Sequence, residues 1–288
     1  MIRTVSPRAA AIVFVSLLLV VLAANPAAAQ RGRWRGGFEF DGTLSDRRGV
    51  PQWEVDPQFP HDLFTFVRVR YSSDNYRGRG NGWATDYPDS DLNFSLRLQQ
   101  LTSLRVNPDP LVLTLSDPRL VDYPFLYMIE PGSLAFDEAE VAALRQYCLN
   151  GGFMMVDDFW GENEYSNFER EIRRVFPDRP IVDVPLEHEI FHCVYDLKEK
   201  PQVPSIDAAE YGRGRGITWE PRYESDTSTV YYKAISDDAG RIMVFICHNT
   251  DLGDGWEREG ENQWYFEEFS VKKAYPMGIN IVVYAMTH

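Results

Sequence analysis

Cysteine is scarce in this chain: Cys148, Cys193 and Cys247 are three in 288 residues. None pairs as C-x-x-C, which removes the usual zinc-ribbon and dithiol redox motifs. Positive charge is also short, 29 Lys and Arg against 43 Asp and Glu, for a formal net charge of −14. An acidic surface repels phosphate backbones, so general nucleic-acid binding is excluded as a function class. No apolar run after residue 24 is long enough to span a bilayer. The glycine fingerprint G-x-G-x-x-G does not follow the first predicted strand, so dinucleotide binding of that type is not encoded. Seven Trp and fifteen Tyr argue against a disordered chain.

At the N-terminus, Arg3 and Arg8 precede an apolar stretch over residues 9–24, and Ala27-Ala28-Ala29 offers a small-x-small cleavage site. This pattern predicts a secretory signal peptide over residues 1–29. An uncleaved anchor is the rival reading, but the stretch is shorter than the roughly 20 residues a span requires. The expected location is therefore exported, periplasmic or extracellular, with no transmembrane span after cleavage. Residues 30–61, rich in Arg, Gly and Pro, read as a poorly ordered arm, one that could pack aromatics on the domain; a partner-binding tail is the alternative. Residues 62–288 have the size of a single α/β domain.

The domain is organised around residues 149–161. A helix ends at Gly151-Gly152, a short apolar strand Phe153-Met154-Met155-Val156 follows, and Asp157-Asp158 closes it. Without alternation, that strand is expected to be buried on both faces of a parallel sheet. Gly151 suits the positive-φ position that closes a helix. Ligands in open α/β sheets gather outside the carboxyl ends of the strands, which makes Asp157 and Asp158 the first candidates for chemistry.

Elsewhere, strands are predicted over 63–71, 111–115, 124–129 and 181–184. A hairpin is expected from 230–235 and 241–247, joined by a Gly-containing loop. Helices are predicted over 89–104 and 137–149. A third should open at the capping box Ser166-Asn167-Phe168-Glu169 and end before Pro177. A last helix is predicted from Pro276, turning Ile279, Val282, Val283 and Met286 inward. Strands alternating with helices of this length give a three-layer α/β sandwich with a mainly parallel sheet. The glycine-rich loop at 77–82 reads as a flexible connection, with anion binding as the functional rival. Cys148 is expected to be a buried thiol; Cys193 and Cys247 are either one disulfide or two free buried thiols.

His188-Glu189-Ile190-Phe191-His192 matches H-E-x-x-H, which on a helix would place two imidazoles on one face for zinc. Pro185 stands where that helix should already be running, and the continuation with a third ligand is missing. The bland reading is an extended segment with locally bonded histidines. A third reading brings His188 or His192 beside Asp157 or Asp158, where a carboxylate can raise an imidazole's basicity. The paired aspartates would equally suit Ca²⁺ or Mg²⁺, which take oxygen ligands, or simply cap a loop. His248, Asn249, Asp251 and Asp254 form another polar cluster after a strand; its spacing is not an EF-hand's. Parallel pairing of the two strands would bring it to the same edge as Asp157. Trp83, Trp160 and Trp256 are expected on loops near these ends, as aromatic walls of a pocket.

Several segments together resemble a known family: Trp83-Ala84-Thr85-Asp86-Tyr87-Pro88, Asp122-Tyr123-Pro124-Phe125-Leu126-Tyr127, Gly151-Gly152-Phe153, Asp157-Asp158-Phe159-Trp160-Gly161, Ile190-Phe191-His192, Gly240-Arg241 and Gly278-Ile279-Asn280-Ile281-Val282-Val283-Tyr284-Ala285-Met286-Thr287-His288. They are similar to the bacterial domain of unknown function 4159, itself similar to the class I glutamine amidotransferase-like superfamily. The resemblance spans nearly all of residues 62–288 and implies a flavodoxin-like sheet. It also implies that His188 occupies a place where relatives carry His-Pro in a loop, which makes the zinc match accidental. Amidotransferases use a Cys nucleophile at a strand-to-helix turn; here Asp157-Asp158 stands at the comparable turn, and glutamine hydrolysis is not expected.

The resulting expectation is an exported domain that binds an unidentified small molecule or a cell-envelope protein partner, with no cofactor and no resident metal assigned. Its candidate site is Asp157, Asp158, Trp160, His188, His192, His248, Asn249, Asp251 and Asp254. The alternative is a metal-assisted or His/Asp-dependent hydrolase acting on an envelope glycan or peptide.

Overall fold

Period-two alternation decides which layer each strand residue enters. Along β3 (Phe125–Ile129), Phe125, Tyr127 and Ile129 join one core cluster, while Leu126 and Met128 join the other. The same split holds along β4 (Phe153–Asp157), where Phe153 and Met155 face one way and Met154 and Val156 the other. Both strands are buried throughout, as a strand covered on both faces must be.

The computed structural model describes residues 44, 46–58, 62–73, 82–221 and 226–288, all within one compact unit, Phe40–His288. The expected signal peptide, most of the Arg/Gly/Pro-rich arm, and all but Gly82 of the glycine-rich loop lie outside the described residues. In the described part of the arm, Trp53 packs on the core and donates its indole N–H to the Val106 carbonyl at 2.8 Å. No helix among the described residues is long and apolar enough to cross a membrane.

Seven strands form one sheet in the order β2-β1-β3-β4-β7-β6-β5. The remaining strands are β1 (Val67–Arg70), β2 (Leu111–Thr114), β5 (Val182–Asp183), β6 (Tyr231–Ser236) and β7 (Ile242–His248). Pairing is parallel from β2 through β1, β3 and β4 to β7, with Met155 opposite Phe245 across the β4–β7 seam. β6 runs antiparallel to both β7 and β5. The sheet is thus mostly parallel but mixed, because the β6–β7 hairpin reverses direction as its turn sequence predicts.

Helices cover both faces. α1 (Asp89–Leu101), α5 (Leu252–Glu257) and α7 (Tyr275–Thr287) supply Phe94, Trp256 and Ile279 to one core cluster. α2 (Glu138–Leu149) and α3 (Gly161–Val175) supply Leu144, Cys148, Phe168 and Ile172 to the other. A capping box starts α2: Glu140 N–H donates to Asp137 Oδ1 at 2.7 Å, and Asp137 N–H donates to Glu140 Oε2 at 3.0 Å. Gly151 follows it with φ of +109°, the conformation the sequence called for. A short α4 (Ile206–Gly212) follows β5, and α6 (Gln263–Tyr265) runs through a π-helical stretch, Phe266–Ala274, into α7.

Four local expectations are corrected. α3 starts at Gly161, five residues before the Ser166 capping pattern, because the start is capped from elsewhere: Gly161 N–H donates to Asn249 Oδ1 at 2.8 Å. Ser166 lies inside the helix and its hydroxyl bonds to Glu162 at 3.2 Å. Met286 is 39% exposed, since it lies in the final turn of α7; Val283 is only partly buried. Trp256 belongs to α5 and is fully buried between Phe94, Phe66 and Tyr127, so it walls no pocket. All three thiols are free: Cys148 and Cys247 are buried, and Cys193 is exposed.

Candidate functional site: an acidic rim at the carboxyl edge of the sheet

Because β1, β3, β4 and β7 are neighbours and parallel, their carboxyl ends open on one rim. Each connection there contains a non-glycine residue in the left-handed region: Asp86 (φ 62°) between β1 and α1, Glu130 (φ 48°) after β3, Asp158 (φ 53°) after β4 and Asn249 (φ 61°) after β7. Such conformations are uncommon away from glycine, and they concentrate where the backbone must aim a side chain. The rim includes the junction of β1 and β3, where successive connections leave to opposite sides.

Carboxylates crowd this rim. Asp157, the last residue of β4, accepts from Tyr127 Oη–H at 3.2 Å and from Gly253 N–H at 3.1 Å, both through Oδ2. Its Oδ1 is sealed from solvent with no hydrogen-bond partner. Burial pushes its pKa up to about 7 despite those donors. Asp158 accepts the Trp160 indole N–H at 3.0 Å; burial, then Glu130, Asp86 and Asp157, push its pKa well above the usual carboxylate range.

From the β7 side, Asp251 caps α5 by accepting Asp254 N–H at 2.7 Å. Burial and the neighbouring Asp158 and Asp254 hold Asp251 well above its ordinary pKa. Asp254 accepts Ile206 N–H at 2.7 Å and the Arg258 guanidinium at 3.2 Å. Burial still pushes it up, and it pushes Glu257, already raised by its own burial, to about 8. Asp86 completes the group: its Oδ2 is buried and unpartnered, and burial with Asp254 and Glu257 nearby raises it strongly.

Among the described residues, few cations answer these acids. Arg258 bridges Asp254 and Glu257. Arg68, fully buried on β1, is committed to Asp91 through Nε at 3.1 and 3.0 Å, and to the carbonyls of Trp83 and Thr85 through Nη1. It thereby pins the segment that presents Asp86. One oxygen each from Asp86, Asp251 and Asp254 lies within 4.8 Å of the other two. Two oxygens that share an ion at about 2.4 Å cannot be more than about 4.8 Å apart, so the spacing is compatible with a hard divalent cation.

Among the residues singled out from sequence, Asp157, Asp158, Trp160, His248, Asn249, Asp251 and Asp254 all lie at this rim. Trp160 is buried and spends its N–H on Asp158. Asn249 works in the framework, accepting Gly161 N–H and donating to the Thr229 carbonyl at 2.8 Å. His248 is packed between Phe159, Tyr165 and Tyr231, with Nε2 donating to the Gly161 carbonyl at 3.2 Å and Nδ1 buried without a partner. Burial lowers its pKa to about 4, which makes it a neutral ring and a weak base.

His188 and His192 are elsewhere. His188 packs on Tyr284, 5.7 Å between ring centres, and Tyr284 Oη accepts Ile242 N–H at the start of β7. That is the opposite edge of the sheet, about 20 Å away at the rise of an extended strand. The H-E-x-x-H segment forms one 3₁₀ turn, Glu189–Phe191, instead of an α-helix, and the two imidazoles do not converge. His192 uses both ring nitrogens, on Asp196 Oδ1 and the Leu186 carbonyl, each at 2.7 Å.

Sequence reasoning missed Asp86, Glu130, Glu257 and Arg68. Asp86 lay inside the Trp83-to-Pro88 segment that carries the family resemblance, yet no motif marks a lone aspartate before Tyr-Pro as a site residue. Arg68 falls inside the first predicted strand, where no local pattern singles it out. Comparison with known proteins adds the lineage. No curated protein matches the chain. The model of the domain of unknown function DUF4159 matches residues 65–286, most of the chain and all of the sheet. The chain belongs to the DUF4159 family.

Proposed function

We propose that this protein is an exported binding domain that takes a cationic ligand, or a cationic group on a partner, at the acidic rim of its sheet, and that it performs no glutamine hydrolysis. The observation that carries this reading is the imbalance at the rim. Among the described residues, Asp86, Asp157, Asp158, Asp251, Asp254 and Glu257 gather from separate connections, while Arg258 pairs into the group and Arg68 is spent on Asp91.

The strand order 2-1-3-4-7 through the parallel part supports a flavodoxin-like scaffold and an amidotransferase-like descent. The turn after β4 supports the loss of that chemistry. Asp158 stands there in the left-handed conformation of a strand-to-helix elbow, and none of the three cysteines does. The hydrolase alternative in its His/Asp form draws less support, since His188 and His192 occupy the other edge and His248 is a buried weak base.

The test is a thermal-unfolding series on the purified protein with Ca²⁺, Mg²⁺, Mn²⁺, spermidine and, as a neutral control, chitotriose. A cationic probe should raise the midpoint and the control should not. If every cation leaves the midpoint unchanged in both wild type and Asp158→Asn, the reading is wrong.

A further inference from the structure

We propose that Asp86, Asp251 and Asp254 form a binding site for one divalent, oxygen-preferring cation of the Ca²⁺ or Mg²⁺ kind. The inference rests on the cationic-ligand reading above and names the ligand class of the same rim. Its first support is geometric: three carboxylates from two distant connections bring an oxygen each within 4.8 Å of one another. Hard divalent cations recruit such oxygens, often from backbone-positioned aspartates.

The second support is independent of the clustering. Asp86 Oδ2 has no solvent contact and no hydrogen-bond donor, although the Gly253 backbone stands beside it. Asp157 Oδ1, on a residue with no exposed surface, is likewise without a donor. Natural interiors rarely leave carboxylate oxygens dry and unmet, and each such atom calls for an explanation. A bound cation provides one for Asp86 Oδ2, on a residue of the cluster itself.

The surrounding structure leaves room for this assignment. Gly253 lacks a side chain where a Cβ would lie 2.8 Å from Asp86 Oδ2, so the oxygen can approach the turn of α5. Asp251 and Asp254 hold their carboxylates in fixed directions by accepting backbone N–H groups of Asp254 and Ile206. Arg68 fixes the third by holding the carbonyls of Trp83 and Thr85. Three ligands with pre-set orientation, leaving the remaining coordination to water, suit an exported module with a dissociation constant of about 10⁻⁴ to 10⁻³ M.

The experiment is calorimetric titration of chelator-treated, purified protein with Ca²⁺, Mg²⁺ and Mn²⁺ separately, alongside thermal unfolding. One ion per chain is expected for at least one metal, with a raised unfolding midpoint. Asp86→Asn and Asp251→Asn should each weaken binding about tenfold or more, since loss of even an outer-shell partner costs about 10–100-fold at metal sites. Asn is chosen because it tolerates the left-handed backbone at 86 and still caps a helix at 251; circular dichroism checks that both variants fold. Asp122→Asn, on the far side of the sheet, should bind as wild type does. Absence of binding by all three metals overturns the site, and so does binding that both rim variants leave intact. If spermidine still stabilises the protein while the divalent ions do not, the metal site falls and the cationic-ligand reading stands.

Discussion

A Cβ on Gly253 would lie 2.8 Å from Asp86 Oδ2 and 2.8 Å from Tyr127 Oη. Both are closer than real carbon–oxygen contacts, and neither partner is the end of a freely swinging chain: Tyr127 is fully buried and Asp86 is held by its loop. Gly253→Ala should therefore displace the Asp86 loop and disturb the Tyr127–Asp157 hydrogen bond together. Overpacking of this kind costs about 1–3 kcal/mol. Urea unfolding of the variant measures it; a loss under about 0.5 kcal/mol, the size of a neutral surface change, would show that the rim yields freely.

Arg68 and Asp91 form an ion pair with no exposed side-chain surface on either partner. Arg68→Met leaves the Asp91 carboxylate buried and alone, which costs about 3–5 kcal/mol. Replacing both, Arg68→Met with Asp91→Leu, removes the orphaned charge and should recover a large part of that loss. The denaturant midpoints of the two single variants and the double variant give the coupling. If the double variant is as unstable as the sum of the singles, the two side chains are not coupled and the orphaned charge is not what the single variants cost.

The β–α alternation and the central strand were legible because each is a local pattern, such as the unbroken apolar run of Phe153 to Val156 and the glycine pair before it. The edge at which Asp157, His248 and Asp251 emerge was legible too, because parallel pairing of two buried strands fixes it. What escaped were the features that depend on tertiary partners. α3 starts where Asn249, 88 residues later, supplies the cap, and a local capping pattern at Ser166 could not reveal that. His188 and His192 looked equivalent to the rim residues in sequence, yet the 3₁₀ turn that carries them packs on α7 at the far edge. Asp86 and Arg68 became visible only once α1 was laid on β1.

Asp157 gives a pH dependence opposite to that of an aspartate whose carboxylate is stabilised by folding. Its folded pKa, about 7, lies above the ordinary value of 3.8 because of burial. Between those values the folded protein holds a proton that the unfolded chain has released, so stability falls as pH rises through this window and levels off above it. The full effect is roughly 4 kcal/mol at 1.36 kcal/mol per unit. Asp157→Asn keeps an acceptor for Tyr127 and Gly253 and has no charge to bury. In chelator, the variant should match wild type near pH 4 and exceed it increasingly up to pH 8. Parallel stability curves for the two proteins would rule out a raised Asp157.

His248 works in the opposite sense. Burial among Phe159, Tyr165 and Tyr231 lowers its pKa from 6.5 to about 4, so the folded state keeps the ring neutral after the unfolded chain has protonated. Its contribution is fully present above pH 6.5 and is lost as pH falls toward 4, by roughly 3 kcal/mol. His248→Phe offers those three rings a partner that cannot take a proton. The variant forfeits the bond to the Gly161 carbonyl at every pH, so the informative quantity is the slope: wild type should lose about 3 kcal/mol more than the variant between pH 7.5 and pH 4. Urea unfolding at several pH values in that range measures both slopes, and equal slopes would mean that His248 titrates as an ordinary solvent-exposed histidine.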